Sequence, residues 1–305
     1  MVLSNQSQLA RFAKKFLIFV VGIVLVDAIV GTLMKRYYDN QKGGLFYRAN
    51  YVVNNTKADL LIFGSSRANH NYITTTFESK LNTTAYNCGR DGIGMYYCLA
   101  TMAAVLERYT PKTIILDLRP GEFSLSEYGK LAEILPYHDN PAVYNYIKYD
   151  GKFEKYKLAS KMYPYNSMFS TLFLNNHLAA NHTIFDVEGY IPFTDTMKYA
   201  PRELVKFGPV IPQRVKVLED MLQTLKKKNI KMFLVMSPSY CTFLHPDPTI
   251  VTVDSLCEKH PEVRFLNYED DPAFSDYKLF KDQDHLNQDG SKKLTSLITD
   301  QLAYH

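Results

Sequence analysis

The 305-residue chain carries 35 Lys and Arg against 31 Asp and Glu. The resulting formal charge of +4 is small for this length and gives no broad basic face, so nucleic acid is not expected as a partner. A hydrophobic content of 46% excludes a disordered chain and fits one large domain or two small ones.

After a short tail over residues 1–15, Phe16 to Leu33 is an apolar run broken only by Asp27. Eighteen residues at ~1.5 Å each reach ~27 Å, close to a ~30 Å hydrocarbon core. Thirteen of them are Phe, Leu, Ile or Val, each favouring insertion by roughly 0.3–0.6 kcal/mol against about 3 kcal/mol for a central aspartate. Met34-Lys35-Arg36 follows in place of an Ala-x-Ala cleavage site, so residues 16–34 read as an uncleaved anchor. Asp27 is expected either to face a partner helix or to lie close to an interface. Arg11, Lys14 and Lys15 before the run nearly balance Lys35, Arg36, Lys42 and Arg48 after it, so charge alone does not orient the span. Residues 35–57 are polar, with Gly43-Gly44 and Asn54-Asn55, and read as a stalk.

The folded domain is expected over residues 58–305. Leu60-Leu61-Ile62-Phe63 is a buried strand that stops at Gly64-Ser65-Ser66-Arg67, which puts a hydroxyl at the carboxyl edge of a sheet, where open α/β folds keep their ligand crevice. A short helix (72–81), a strand (83–87) and a glycine-rich turn at Gly89, Gly92 and Gly94 come next. A helix (96–108) and the strand Thr113–Leu118 continue the alternation, which argues for a parallel sheet. Residues 127–209 break the rhythm and hold ten of the 23 tyrosines. They read as a helical and irregular cap inserted over the site, its aromatics either lining a sugar or acyl groove or, more simply, filling the cap's own core.

The alternation resumes with an amphipathic helix (215–228), the strand Met232–Met236 ending at Ser237-Pro238-Ser239, a helix (249–258), a fifth strand (263–268) and a closing helix (288–302). Before the last helix lies Asp282-Gln283-Asp284-His285-Leu286-Asn287. Serine needs a neighbouring base to act as a nucleophile, and the base needs a third group to hold its tautomer. Asp282 and His285 can supply both roles to Ser66. Ser65 is the alternative nucleophile, and His138, His177 and His182 are rival bases. Cys88, Cys98, Cys241 and Cys257 form no C-x-x-C pair and no zinc spacing, and neither metal nor cofactor is expected.

With Gly64-x-Ser66, Asn87-x-x-x-x-Gly92 and Asp282-x-x-His285-Leu286-Asn287 in this order, the chain resembles the SGNH (GDSL-like) hydrolase superfamily. It is most similar to the membrane-anchored bacterial branch that includes the alginate O-acetylation proteins and the D-alanine transfer protein of teichoic acids. The resemblance implies a three-layer flavodoxin-like α/β fold with a five-stranded parallel sheet. It also implies Ser66 as nucleophile, His285 and Asp282 as the rest of a triad, and an oxyanion hole from Ser66 and Gly92. Arg67 and Asn87 are candidate substrate contacts. The family's Gly-x-Asn-Asp block should fall near Leu118–Glu122, and no asparagine is there. An exported domain acting on an acylated glycan or another ester of the cell envelope is the expectation. The alternative is a catalytically weak glycan-binding or assembly partner of a polytopic membrane acyltransferase.

Overall fold

A computed structural model describes residues 2–124, 131–149, 151, 153–178, 188–199, 203–243 and 247–304. The chain opens with α1 (Val2–Asp39) and α2 (Gly44–Asn54) and enters the sheet at β1 (Leu60–Phe63). Then come α3 (Ser66–Asn71), α4 (Thr74–Leu81), β2 (Ala85–Asn87), α5 (Met95–Arg108) and β3 (Thr113–Asp117). The inserted segment carries α6 (Pro141–Ile147), α7 (Glu154–Lys157), α8 (Phe169–Leu178) and the short strand β4 (Glu203–Val205). The chain closes with α9 (Pro212–Lys227), β5 (Lys231–Met236), β6 (Cys241–Phe243), α10 (Pro248–Lys259), β7 (Val263–Asn267) and α11 (Gln288–Ala303).

Five strands form one parallel sheet in the order β2-β1-β3-β5-β7. Counted among themselves they follow the doubly wound 2-1-3-4-5 order, whose direction reverses between β1 and β3. The sheet has two dry faces, which is why its strands read as continuous apolar runs instead of alternating. Leu61, Phe63, Ile114, Leu116 and Leu234 pack with α5 and α9 on one side. Leu60, Ile62, Ile115, Phe233 and Val235 pack with Phe77 of α4 and Leu294 and Ile298 of α11 on the other. The result is the three-layer α/β architecture expected from the sequence. A second, two-stranded sheet of β4 and β6 was not anticipated.

The amino-terminal third differs from expectation in one respect. Among the described residues one helix, α1, is long and apolar enough to cross a membrane, and from Leu9 to Val26 its large apolar side chains are exposed. Residues 35–57, however, do not form a stalk. Met34 and Tyr38 are buried with Phe46, Tyr165, Met168 and Leu172, and α2 buries Phe46, Ala49, Val52 and Val53. Those four recur on one helical face, and burial of Arg48 and Asn50 between them disguised the amphipathic pattern.

The described helices of the insertion are cap-like but lie mostly to one side of the crevice. Leu131, Ile134, Leu135, Val143 and Ile147 join the α5/α9 core, and Tyr165, Met168 and Leu172 join α1. Tyr149 stacks on Tyr96 at 5.0 Å, and the Tyr38 and Tyr137 hydroxyls are 2.9 Å apart. Most of these tyrosines fill a core.

Candidate active site

The β1 strand delivers the chain to Gly64, whose φ of +153° favours glycine. A Cβ at Gly64 would lie 2.6 Å from Ala68 Cβ and 2.9 Å from Asp117 Cβ, so only hydrogen lets the turn tuck against β3. Ser65 then caps α3, and Ser66 is its first residue. The partner loop is closed by an antiparallel bridge between Phe280 and Leu286 and by the Leu286 amide donating to Asn71 Oδ1 at 3.1 Å. The side chain of Asn287 accepts from the amides of Asp289 and Gly290, both at 3.1 Å, and starts α11. Gly290 packs where a Cβ would be 2.2 Å from the Leu279 carbonyl oxygen. These contacts are the physical content of the Leu-Asn-x-x-Gly sequence after His285.

Between the two loops, Ser66 Oγ lies 2.7 Å from His285 Nε2. His285 Nδ1 lies 2.8 and 3.1 Å from the oxygens of Asp282. Asp282 Oδ1 also accepts from the amides of Asp284 and His285, at 2.9 and 3.0 Å. Burial works against its charge, but the His285 contact and these amides outweigh it and hold the carboxyl below the usual range. Ser65 Oγ, by contrast, is buried without a hydrogen-bond partner, so no base is joined to it.

Gly92 faces Ser66 across a pocket of about 250 Å³, whose apolar walls are Ile93, Pro120 and Val205. The φ of Gly92 is +74° and a Cβ there would meet open space, so its glycine serves backbone conformation and not packing. Ser65, Arg67, Arg119, Ser239, Cys241 and Asp284 complete the lining with Ser66 and His285. Burial pushes the Cys241 thiol up to about 11, so it is no thiolate rival to Ser66 at neutral pH.

Of the two expected substrate contacts, Asn87 is absorbed by the fold, and Arg67 lines the pocket with its guanidinium engaged beneath it. Asn87 is fully buried. It donates to the carbonyls of Ala68 and Tyr72 at 2.7 and 3.1 Å and accepts from the Gly89 amide at 2.9 Å. It therefore clips the β2 turn onto α3 and does not face the pocket. The Arg67 guanidinium donates to Ser237 Oγ at 3.1 Å and to Glu269 Oε2 at 3.4 Å, with Asp117 at 3.8 Å. Its Nη1 is buried without a hydrogen-bond partner. Burial raises both carboxyls, Glu269 up to about 7, and outweighs the Arg67 charge that lowers them. The Asp117 carboxyl is also bound by the Tyr72 hydroxyl, and Glu269 by the Ser239 hydroxyl.

His138 is hydrogen-bonded to its own turn, Nδ1 to the Leu135 carbonyl at 2.9 Å, and takes no part in the pocket. His177 falls on α8, and His182 lies outside the described residues. One histidine that the motifs did not single out does adjoin the site. His70, on α3, stacks on Phe193 with ring centroids 3.7 Å apart, and Phe193 meets His285 edge-on at 5.6 Å. His70 Nδ1 is 2.7 Å from the Ile191 carbonyl and Nε2 is 3.1 Å from Asp91 Oδ1. The signal was its position, four residues after Ser66 on the same helix, which brings both side chains to one face. Arg48 of α2 is a second omission: it reaches Asn69 Oδ1 at 2.9 Å and the Gly89 carbonyl at 3.3 Å, clamping α3 to the turn after β2. Among the described residues no group of three or more His, Cys, Asp or Glu is placed to hold a metal ion.

No family model matches the chain and no curated protein matches it. Among solved structures it is similar to an acetyl xylan esterase (Est2A) from the rumen bacterium Butyrivibrio proteoclasticus, at 13% identity and a TM-score of 0.36. The match covers 80% of this chain, which spans 64% of the length of that esterase.

Proposed function

We infer that the chain is a membrane-anchored serine esterase or O-acyltransferase of the SGNH type, acting on short acyl groups carried by a glycan of the cell envelope. The reading rests on one observation, the unbroken line of hydrogen bonds from Ser66 through His285 to Asp282. With Asp282 accepting the Nδ1 proton, His285 Nε2 is left to accept the proton of Ser66 as Oγ attacks the ester carbonyl. The resulting imidazolium is stabilised by the Asp282 carboxylate and protonates the leaving alkoxide. An acyl-serine remains, and water or a sugar hydroxyl, deprotonated in turn by His285, takes the acyl group and restores Ser66.

The Ser66 and Gly92 amides are the proposed oxyanion donors. A missing third donor costs about 10²–10³ in rate when nothing replaces it. Arg119 stands in the segment where the family places its asparagine, is held by Glu122 at 3.0 Å and lines the pocket, so its cation is the available substitute. Apolar walls and the modest volume favour a small acyl group with its sugar outside. Anchored through α1, the domain would lie at the surface of a membrane, and the family resemblance favours the exported side.

A catalytically weak binding or assembly role beside a polytopic acyltransferase is the second reading, favoured by the absence of any side-chain amide among the described residues of the pocket. Hydrolysis of an activated acetyl ester by the full-length protein in detergent separates the two, with a polyol added as acceptor. Turnover that disappears in Ser66→Ala supports the enzyme. Turnover unchanged in Ser66→Ala overturns the assignment of the nucleophile. An inert protein that co-purifies with a polytopic membrane protein favours the assembly role.

A further inference from the structure

Asp27 interrupts the apolar run six residues before Leu33, which is ~9 Å along a helix axis. Centred in a bilayer, the run from Phe16 to Leu33 would place this carboxylate well below the headgroups on the side of the folded domain. Sliding α1 to bring Asp27 to the surface would draw Arg11, Lys14 and Lys15 into the hydrocarbon instead, an exchange of one charge for three.

Asp27 is met by the folded domain. Its oxygens accept from Ser160 Oγ at 2.5 Å and from the amides of Lys161 and Met162 at 2.8 and 3.3 Å. One turn further along α1, a Cβ at Gly31 would lie 2.4 Å from the backbone carbon of Lys161, so the two backbones are in direct contact there. Residues 160–162 therefore reach the depth of Asp27. The α7 helix goes with them, because buried Glu154 is bound by the Tyr163 hydroxyl and by Lys157 Nζ, both at 2.5 Å. Higher on α1, the side chain of Asn176 on α8 donates to the Tyr37 carbonyl at 3.1 Å, and Leu172 packs beside Met34.

The outward faces of these same elements carry large apolar side chains among polar ones. Phe153 and Tyr156 at α7 are 60% and 66% exposed, and Phe169, Phe173 and Leu174 of α8 are each nearly half exposed. Lys155, Lys157 and Lys161 are exposed around α7. Large apolar groups rimmed by lysines mark a surface that sits in a lipid interface, with aromatic rings among the headgroups and ammonium groups reaching up to anionic lipid.

We propose that α7, α8 and residues 160–163 form a membrane-seated surface, continuous with the lipid-facing side of α1 and sunk into the leaflet on the domain side. The domain is then docked in the bilayer and does not sway on a tether, and the bilayer itself is the partner of this face. The inference rests on α1 being in the membrane, and the experiment keeps the two ideas apart.

The chain contains no tryptophan, so single substitutions give clean reporters. Full-length Phe19→Trp, Tyr156→Trp, Phe173→Trp and Val251→Trp would be placed in phosphatidylcholine–phosphatidylglycerol nanodiscs with and without acyl-chain bromine. Phe19 lies on the span and Val251 is a water-facing residue of α10, 65% exposed. The expected result is blue-shifted emission and bromine quenching for Phe19→Trp, Tyr156→Trp and Phe173→Trp, with Val251→Trp unquenched. Quenching at Phe19→Trp while both domain reporters behave like Val251→Trp would overturn the seated surface and leave the anchor intact. An unquenched Phe19→Trp would remove the anchor and this inference with it.

Discussion

His285 and His70 lie against the same phenyl ring, that of Phe193, and each is paired with an aspartate. They differ in what the second ring nitrogen meets. His70 has one nitrogen on the Ile191 carbonyl and the other on Asp91, and its side chain is 3% exposed. His285 has one nitrogen on Asp282 and the other on the Ser66 hydroxyl, and its side chain is 19% exposed at the pocket. A histidine fully engaged by acceptors of the fold holds a strap in place. A histidine with one nitrogen on a hydroxyl can move a proton. The carboxylates divide in the same way: Asp282 belongs to the hydrogen-bonded line that ends at Ser66, and Asp117 and Glu269 share a guanidinium beneath it.

The largest effects should come from breaking the reacting line. Ser66→Ala and His285→Ala are each expected to lower kcat on an activated ester by about 10⁴-fold or more with the thermal transition nearly unchanged, and to be no worse combined than alone. Steady-state kinetics with a melting curve checks both halves of that statement. Asp282→Asn should leave the ring in place but favour the wrong tautomer. Because the Asp282 side chain is 51% exposed, a loss of about 10²–10³ in kcat is expected, below that seen for deeply buried triad carboxylates.

Glu269→Gln tests the network underneath. Burial keeps Glu269 protonated in the folded chain up to about pH 7, while the ordinary carboxyl value is 4.5. Across that window the unfolded chain has released a proton that the folded chain keeps, so this group makes stability fall as pH rises and then level off. Relative to the parent, Glu269→Gln should therefore gain stability between pH 5 and 7, by up to roughly 3 kcal/mol. Denaturant titrations at several pH values read the difference, and a gap that does not vary with pH would break the account. Asp282 has the opposite sign: its lowered carboxyl adds stability above the ordinary range, which is lost as acid protonates it.

The smallest effect on chemistry is expected at His70. His70→Leu should cost about 1–3 kcal/mol of stability through its lost hydrogen bonds, with kcat within about tenfold of the parent. A stable His70→Leu with no activity would erase the division between the two histidines.

Much of this arrangement could be read from residue order. Continuous apolar strands of four to six residues announced a sheet covered on both faces, and the residue after β1 announced its carboxyl edge. The Asp282 loop was legible because Leu286, Asn287 and Gly290 each have a local structural duty. What stayed hidden depended on contacts between distant segments. Arg67 beside a serine reads as a free cation until Glu269, 202 residues on, is brought to it, so that the guanidinium lining the pocket is already engaged. Asn87 resembles one until the backbone carbonyls of α3 close around it. The 35–57 stretch read as a stalk because it is polar and carries Gly43-Gly44 and Asn54-Asn55; burial of Arg48 and Asn50 becomes favourable only once the Gly89 turn and the Tyr38 carbonyl supply acceptors.

Intact-mass analysis of the full-length protein after exposure to a fluorophosphonate tests the central claim most directly, with Ser66→Ala, His285→Ala and His70→Leu treated in parallel. One adduct is expected on the parent and on His70→Leu, and none on Ser66→Ala or His285→Ala. An adduct that persists in Ser66→Ala, or that is lost in a folded His70→Leu but kept in His285→Ala, would contradict that claim.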